Sequence, residues 1–96
     1  MMIDHERRVV VLDGQTLRLT RVLFDLLACL SARPGVVRSR EELLAAAWSD
    51  RAEMVNDRSV DTAVKRLKKI GITGIESYSG IGYFWDDGIR TTSGDI

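Results

Sequence analysis

Five polar side chains recur at helical spacing in the segment DRSVDTAVKRLKKIG, residues 57–71, opposite its apolar residues. At about 100° per residue, one face carries Val60, Ala63, Val64, Leu67 and Ile70. The other face carries Arg58, Thr62, Lys65, Arg66 and Lys69. Lysine and arginine neutralise phosphates and bond to guanine edges, and a threonine can touch a thymine methyl group. The chemistry open to this face is recognition of a polyanion such as double-stranded DNA.

The charge of the chain is polarised, although its net charge is zero. Residues 58–69 hold five cationic residues against one acidic residue, a net charge of +4. Residues 40–57 hold two cationic residues against five acidic ones, a net charge of −3. DNA would repel the second segment, which suits a contact with protein better. Charge alone also allows a plainer interpretation, in which the basic helix face is only solvated.

Residues that could support catalysis or metal binding are few. Cys29 is the only cysteine, has no cysteine or histidine at metal-ligand spacing, and is expected to fill core space. His5 lies in a polar stretch without a nearby nucleophile. The carboxylate pairs Glu41-Glu42 and Asp86-Asp87 are adjacent in sequence and do not converge as an acid and a base would. We therefore expect no enzyme, no metal site and no cofactor.

Length and composition predict one small globular domain. The chain has 96 residues, of which 45% are hydrophobic and 29% charged. No apolar run approaches the roughly 18 residues of a membrane span, and the start MMIDHERR lacks the apolar core of a signal peptide. A cytoplasmic protein without a membrane partner is the expectation.

Strand and helix signals follow one another along the chain. Residues 7–20 hold a β-branched run, the turn signal Asp13-Gly14 and an alternating segment, which together predict a hairpin. Thr20 is a plausible N-cap for a first helix, which ends before Pro34-Gly35. The buried stripe predicted for this helix contains Leu23, Leu26, Leu27 and Leu30.

Two more helices and a second hairpin complete the pattern. Ser39 with Glu42 predicts a capping box and a second helix, whose stripe is Leu43, Leu44, Ala47 and Trp48. Residues 49–56, SDRAEMVN, indicate a loop before the third helix, which Asn56 or Asp57 caps and Gly71 ends. Residues 79–82 lie in the predicted turn of the last hairpin.

The resulting order predicts an α+β fold: a winged helix-turn-helix with an N-terminal antiparallel sheet, three helices and a C-terminal β-hairpin wing. Residues 1–86 would form the domain, and the polar residues 87–96 a disordered tail.

From Leu19 to Tyr83 the chain resembles the DNA-binding effector domain of the OmpR/PhoB family of bacterial response regulators. The matching motifs come in the order of that family: LRLT at 17–20, RPGVVRSREELLAAAW at 33–48, DRSVDTAVKRLKK at 57–69 and SGIGY at 79–83. The resemblance implies a four-stranded N-terminal sheet and a third helix that enters the major groove. It assigns DNA contacts to Arg58, Thr62, Lys65, Arg66 and Lys69. Arg58, at the helix N-terminus beside free amides, would contact a phosphate.

The wing departs from the family pattern. Ser79 stands where the family usually has an arginine that reaches the minor groove, and Glu76 stands where another basic residue is common. Ser79 can still bond to a phosphate but cannot place a cation in a narrow groove. We expect this wing to bind DNA more weakly. The connection from Lys69 through Gly74 is also shorter than usual.

The resemblance further implies partners beyond DNA. The loop 49–56 would face RNA polymerase, with Asp50, Arg51 and Glu53 as its charged residues. The resemblance also implies binding to direct-repeat DNA sites and a homodimer that forms on DNA. A receiver domain normally precedes this module, and we expect the chain to be a fragment that begins after it, in preference to a stand-alone relative.

One rival interpretation stays open from the sequence. A winged helix can bind a protein instead of DNA, and the neutral net charge and the missing wing arginine both favour that alternative. A continuous positive surface from the third helix to the tip of the wing would favour DNA.

Overall fold

The computed structural model, which describes residues 1–48 and 56–86, contains three helices and two three-stranded antiparallel sheets. The predicted fold class is confirmed. The elements in chain order are β1 (Met2–Asp4), β2 (Val9–Leu12), β3 (Gln15–Arg18), α1 (Arg21–Ser31), β4 (Arg38–Ser39), α2 (Arg40–Ala47), α3 (Asp57–Ile70), β5 (Ile75–Tyr78) and β6 (Gly82–Trp85).

The N-terminal sheet has the order β1-β2-β3 and is antiparallel throughout. The predicted hairpin forms β2 and β3, and its turn residues Asp13 and Gly14 both have positive φ, 51° and 81°. Such turns match the right-handed twist of the strands that they join. Strand β1 was not predicted, because three residues are too few to show an alternating pattern.

The expectation of a four-stranded N-terminal sheet is wrong. This sheet has three strands, and β4 instead joins the C-terminal sheet, whose order is β4-β6-β5. Arg38 pairs with Tyr83 and Ser39 with Gly82. Gly82 permits this pairing, because a Cβ atom there would lie 1.8 Å from the carbonyl oxygen of Arg38. The strand before α2 therefore holds the end of β6 that lies next to the turn of the wing.

Helix α1 supplies the centre of the core. The hydroxyl of Thr20 accepts a hydrogen bond from the Leu23 amide at 3.2 Å, as predicted for an N-cap. The predicted stripe of four leucines is buried, together with Phe24. Phe24 in turn lies under the guanidinium group of Arg8, which is 4.6 Å from the ring centre. Cys29 is partly buried against the core, and burial raises the pKa of its thiol.

The start of α2 confirms the capping box. The Glu42 amide donates to the Ser39 hydroxyl at 3.1 Å, and the Ser39 amide donates to the Glu42 carboxylate at 3.0 Å. The hydrogen bond from the Ser39 backbone is the main reason why the pKa of Glu42 lies below its ordinary value. This cap fixes the first residue of α2, Arg40, directly after β4.

Asn56 caps the start of helix α3, and Gly71, whose φ is 123°, caps its end. Four of the five residues predicted on its inner face are buried: Val60, Ala63, Val64 and Leu67. The prediction for Ile70 is wrong, since 42% of this residue is exposed. Ile70 is the last residue of the helix, and the chain turns at Gly71 so that Ile72 fills the core instead.

Candidate nucleic-acid interface

The outer face of α3 is exposed along its length. The structure leaves exposed all five residues predicted there: Arg58, Thr62, Lys65, Arg66 and Lys69. We call this set the α3 basic face. It is held outward because the opposite side of the helix packs into the core, where Leu67 is fully buried. A helix with one cationic side can enter the major groove, whose width of about 12 Å accepts a helix.

Arg58 differs in one respect from the sequence-based expectation. Its backbone amide is not free to bind an anion, because it donates to the side-chain oxygen of Asn56 at 3.0 Å. The Asn56 amide is bonded in return to the Ser59 hydroxyl at 3.3 Å. Contact of Arg58 with a phosphate would therefore come from its guanidinium group, and the cap would support the helix instead.

A groove of about 430 Å³ runs beside the α3 basic face, between α3 and the start of α1. Thr20 and Leu23 line its α1 side, and Trp48 lines it as well. Arg58 and Arg66 also line it, so the basic face and the groove form one continuous surface. Sequence reasoning treated Thr20 as a cap and Trp48 as core and missed this placement.

The wing, β5 with β6, has no cation of its own. Residues 75–86 contain no lysine or arginine, and they carry the exposed carboxylate Glu76. Ser79 is exposed at the turn, and beside it 49% of Tyr78 and 54% of Ile81 are exposed. The wing's own residues therefore do not continue the positive surface of α3 to the wing tip.

A cation does reach the wing from α2, at a cluster of three side chains that we call the Asp61 cluster. One carboxylate oxygen of Asp61, Oδ1, accepts a hydrogen bond from the hydroxyl of Tyr83 at 2.6 Å. The same oxygen accepts a second bond from Nε of Arg40 at 2.9 Å. The guanidinium carbon of Arg40 lies 5.4 Å from the centre of the Tyr83 ring. The cluster thus joins α2, α3 and β6.

Two pKa shifts follow from this geometry. The hydrogen bond from Tyr83, with the bond and charge of Arg40, holds the pKa of Asp61 below its ordinary range. Burial, reinforced by Asp61, raises the pKa of the Tyr83 phenol. At neutral pH the cluster therefore consists of a carboxylate, a guanidinium ion and a neutral phenol.

The predicted contact with RNA polymerase falls outside the described residues. Asp50, Arg51 and Glu53 belong to residues 49–55, between the two described ranges, and the predicted tail 87–96 follows the second range. Across residues 1–48 and 56–86, no helix has the length and apolar character to cross a membrane. That part of the chain also groups no three metal-binding side chains where they could hold an ion.

Comparison with known proteins gives consistent matches. Residues 14–85 match the family described as "Transcriptional regulatory protein, C terminal". The transcriptional regulatory protein VxrB of Vibrio cholerae is 38% identical over 84 residues, which are 86% of this chain and 34% of VxrB. The chain therefore spans about a third of the length of this curated relative.

Solved structures of DNA-binding domains are similar to this chain in fold and in sequence. The DNA-binding domain of Bacillus subtilis CssR is 30% identical, with a TM-score of 0.78, over 88% of this chain and 97% of that one. The DNA-binding domain of the response regulator AdeR, solved in complex with an intercistronic region, is 27% identical. Its TM-score is 0.73, over 88% of this chain and 90% of that one.

Proposed function

Because the chain belongs to the family of OmpR/PhoB-type C-terminal domains of transcriptional regulatory proteins, we propose that it regulates transcription by placing α3 in the major groove of double-stranded DNA. Arg58, Lys65, Arg66 and Lys69 would contact phosphates or guanine edges, and Thr62 would contact a base. The observation that carries this proposal is the α3 basic face. Its five members are all exposed on one side of one helix, while the core holds the other side.

The surface around α3 supports the same placement of this helix in the major groove. The groove between α1 and α3 continues the basic face, so a DNA backbone beside the helix would lie along it. The solved complex of the AdeR DNA-binding domain with an intercistronic region supports DNA as the partner of this fold. The wing, through Ser79, would add a hydrogen bond to a phosphate without an electrostatic attraction of its own.

A comparison of two neighbouring lysines tests the orientation of α3. Lys69→Ala is expected to weaken binding to random-sequence duplex DNA and to lower the slope of log K against log salt by roughly one, because one phosphate contact is lost. Binding would be measured by fluorescence anisotropy at several salt concentrations.

Lys68→Ala is the matched control. Lys68 is exposed in the same last turn and has the same charge, but it lies at the side of the helix, about 100° from Lys69. The slope should stay close to that of the unchanged protein. Equal slopes for both variants would mean that binding follows net charge and not the α3 basic face, which would reject the orientation.

We also propose RNA polymerase as a partner, contacted through residues 49–56 with Asp50, Arg51 and Glu53. The acidic bias of residues 40–57 supports this contact. Asp50→Ala with Glu53→Ala is expected to lower transcription in vitro at saturating promoter occupancy, while the affinity for DNA stays unchanged. Normal transcription by that double variant would reject the polymerase contact.

The remaining proposals concern the whole protein. The chain spans about a third of the length of VxrB. We propose that it is the effector domain of a two-component response regulator that acts in the bacterial cytoplasm. It would bind direct-repeat sites as a homodimer formed on DNA. Measurement of the binding stoichiometry on one and on two repeats tests this arrangement, since independent binding to each repeat would contradict the dimer.

One observation favours a second function, a contact with protein. The wing exposes Tyr78 and Ile81 and carries Glu76 without a cation. If the domain fails to bind random-sequence duplex DNA even at low salt, this alternative replaces the DNA-binding proposal.

A further inference from the structure

We propose that Asp61 is a positioning residue, which sets the angle between the wing and α3 on DNA through its bonds to Tyr83 and Arg40. This inference rests on the proposed function and deepens it, because it assigns a role in DNA selection to a residue outside the α3 basic face. Asp61 would touch no DNA itself. It would act through the wing, whose strand β6 carries Tyr83.

The geometry joins the two parts of the binding surface directly. Asp61 lies in the second turn of α3, and Tyr83 is 22 residues further along the chain, in the wing. The hydroxyl of Tyr83 and Nε of Arg40 both bond to the same oxygen of Asp61, at 2.6 and 2.9 Å. A single oxygen atom on α3 therefore holds both the wing and the start of α2 in place. Two donors on one acceptor restrict the side-chain rotation of all three residues.

Arg40 extends this connection to the tip of the wing. Its Nη1 atom lies 3.5 Å from the carbonyl oxygen of Gly80, in the turn between β5 and β6. The capping box fixes the backbone at Arg40, since Ser39 and Glu42 bond to each other on either side of it. The position of the turn relative to α3 thus depends on Arg40 of α2, Asp61 of α3 and Tyr83 of β6.

The charge of this wing makes its position important. A wing with an arginine is drawn to the minor groove by electrostatic attraction, which tolerates small changes of angle. Residues 75–86 contain neither arginine nor lysine, so this wing must rely on short-range contacts. Hydrogen bonds weaken steeply with distance and angle. An error in the wing's angle should therefore remove most of its contribution.

Without its partners, the negative charge of Asp61 would repel DNA phosphates and weaken binding. The Asp61 side chain is 43% exposed and lies one turn before Lys65 on α3. The positive charge of Arg40 compensates it, and so Lys65 remains available to a phosphate. This is a second reason to expect that loss of the cluster changes DNA selection more than it changes the fold.

The first test asks whether the cluster exists in solution. The chain has two tyrosines, so in a Tyr78→Phe background Tyr83 is the only one. The charged groups that face its phenol are Asp61 and Arg40. Asp61→Asn should lower the pKa of Tyr83, followed as tyrosinate absorbance at alkaline pH, because a negative neighbour is removed. An unchanged titration would overturn the inference.

The second test separates positioning from stability. The probes are a duplex selected from a random-sequence pool by the unchanged domain, and a scrambled duplex of the same composition. Tyr83→Phe and Asp61→Asn are expected to reduce the ratio of the two affinities about tenfold, about 1.4 kcal/mol of discrimination. For Tyr83→Phe, which changes no charge at neutral pH, the affinity for the scrambled duplex and its salt slope should stay within about twofold, because the α3 basic face is intact.

Tyr78→Phe is the matched control, since it removes a hydroxyl from the same hairpin outside the cluster, and its ratio should be unchanged. A purely structural role would lower the melting temperature of the Asp61 and Tyr83 variants while the ratio, measured well below melting, stays constant. That outcome overturns the inference and leaves the proposed function standing. Failure of the unchanged domain to bind any duplex overturns the proposed function, and the inference with it.

Discussion

Exchange of Lys65 and Arg66 for glutamate in one variant is expected to weaken binding to duplex DNA by about a thousandfold. Both side chains are exposed on the α3 basic face, so two attractions to phosphate become two repulsions. Like charges held together at an interface cost several kcal/mol, and about 4 kcal/mol corresponds to a thousandfold change. The measurement is a titration of labelled duplex by anisotropy at low salt, where the unchanged domain binds most tightly.

A second double variant keeps the same net charge and isolates the effect of position. Arg7→Glu with Arg33→Glu also changes the net charge by −4, at two exposed sites outside α3 and the wing. We expect its affinity to fall by less than about tenfold, through long-range repulsion that salt screens. Circular dichroism of both variants checks that they are folded. Similar losses in the two variants would contradict a binding surface centred on α3.

Gly82→Ala is expected to have the largest effect on stability. An added Cβ would lie 1.8 Å from the carbonyl oxygen of Arg38 and 2.9 Å from Cα of Ser39. Both obstacles are backbone atoms, which cannot rotate away as a side chain can. Overpacking typically costs 1–3 kcal/mol, and we expect about 3 kcal/mol or more here. In a domain of this size that lowers the melting temperature by roughly 12 to 24 °C.

Gly80→Ala provides the comparison, because Gly80 lies in the same hairpin and has a φ of 72°, with no atom within 4 Å of the added Cβ. Only the left-handed backbone then disfavours alanine, at about 1–2 kcal/mol. Thermal unfolding followed by circular dichroism measures both changes. If Gly82→Ala proved as mild as Gly80→Ala, the close pairing of β4 with β6 could not hold the turn end of the wing.

Local signals predicted the helices of this fold well. Thr20 and the Ser39-Glu42 capping box mark the first residues of α1 and α2, and Gly71 marks the end of α3. Leucines at helical spacing identified the buried side of α1. These signals act within one turn of chain, where the sequence determines the interactions directly.

Pairings between distant segments were not predictable in the same way. Strand β4 has two residues, so no alternation identifies it, and its partner is chosen by contacts with β6. The family resemblance implied a four-stranded N-terminal sheet, whereas this sheet has three strands. Ile70 was assigned to the core because its angle on the helix allows it, whereas the turn at Gly71 brings Ile72 there instead.

The candidate site shows the same division. The α3 basic face follows from helical periodicity alone, and its exposure is confirmed. The Asp61 cluster was missed, since Asp61 entered the sequence argument only as the one acidic residue of residues 58–69 and Tyr83 only as the last residue of the motif SGIGY. Arg40 and Asp61 are 21 residues apart, and Asp61 and Tyr83 are 22 apart. No periodicity joins residues at such distances, and only the folded chain brings them together.

The attachment of the wing through β4 has a consequence for the order of folding. Helix α3 depends on bonds within one turn, whereas the contact of Arg40 with Gly80 spans 40 residues. Local helices form within about a microsecond, while closure of a long loop has an entropic cost that slows it. Helix α3 should therefore form before the wing joins it. A partial opening would release the wing first and leave the basic helix in place, so the domain could lose selectivity for a sequence before it loses its attraction to DNA.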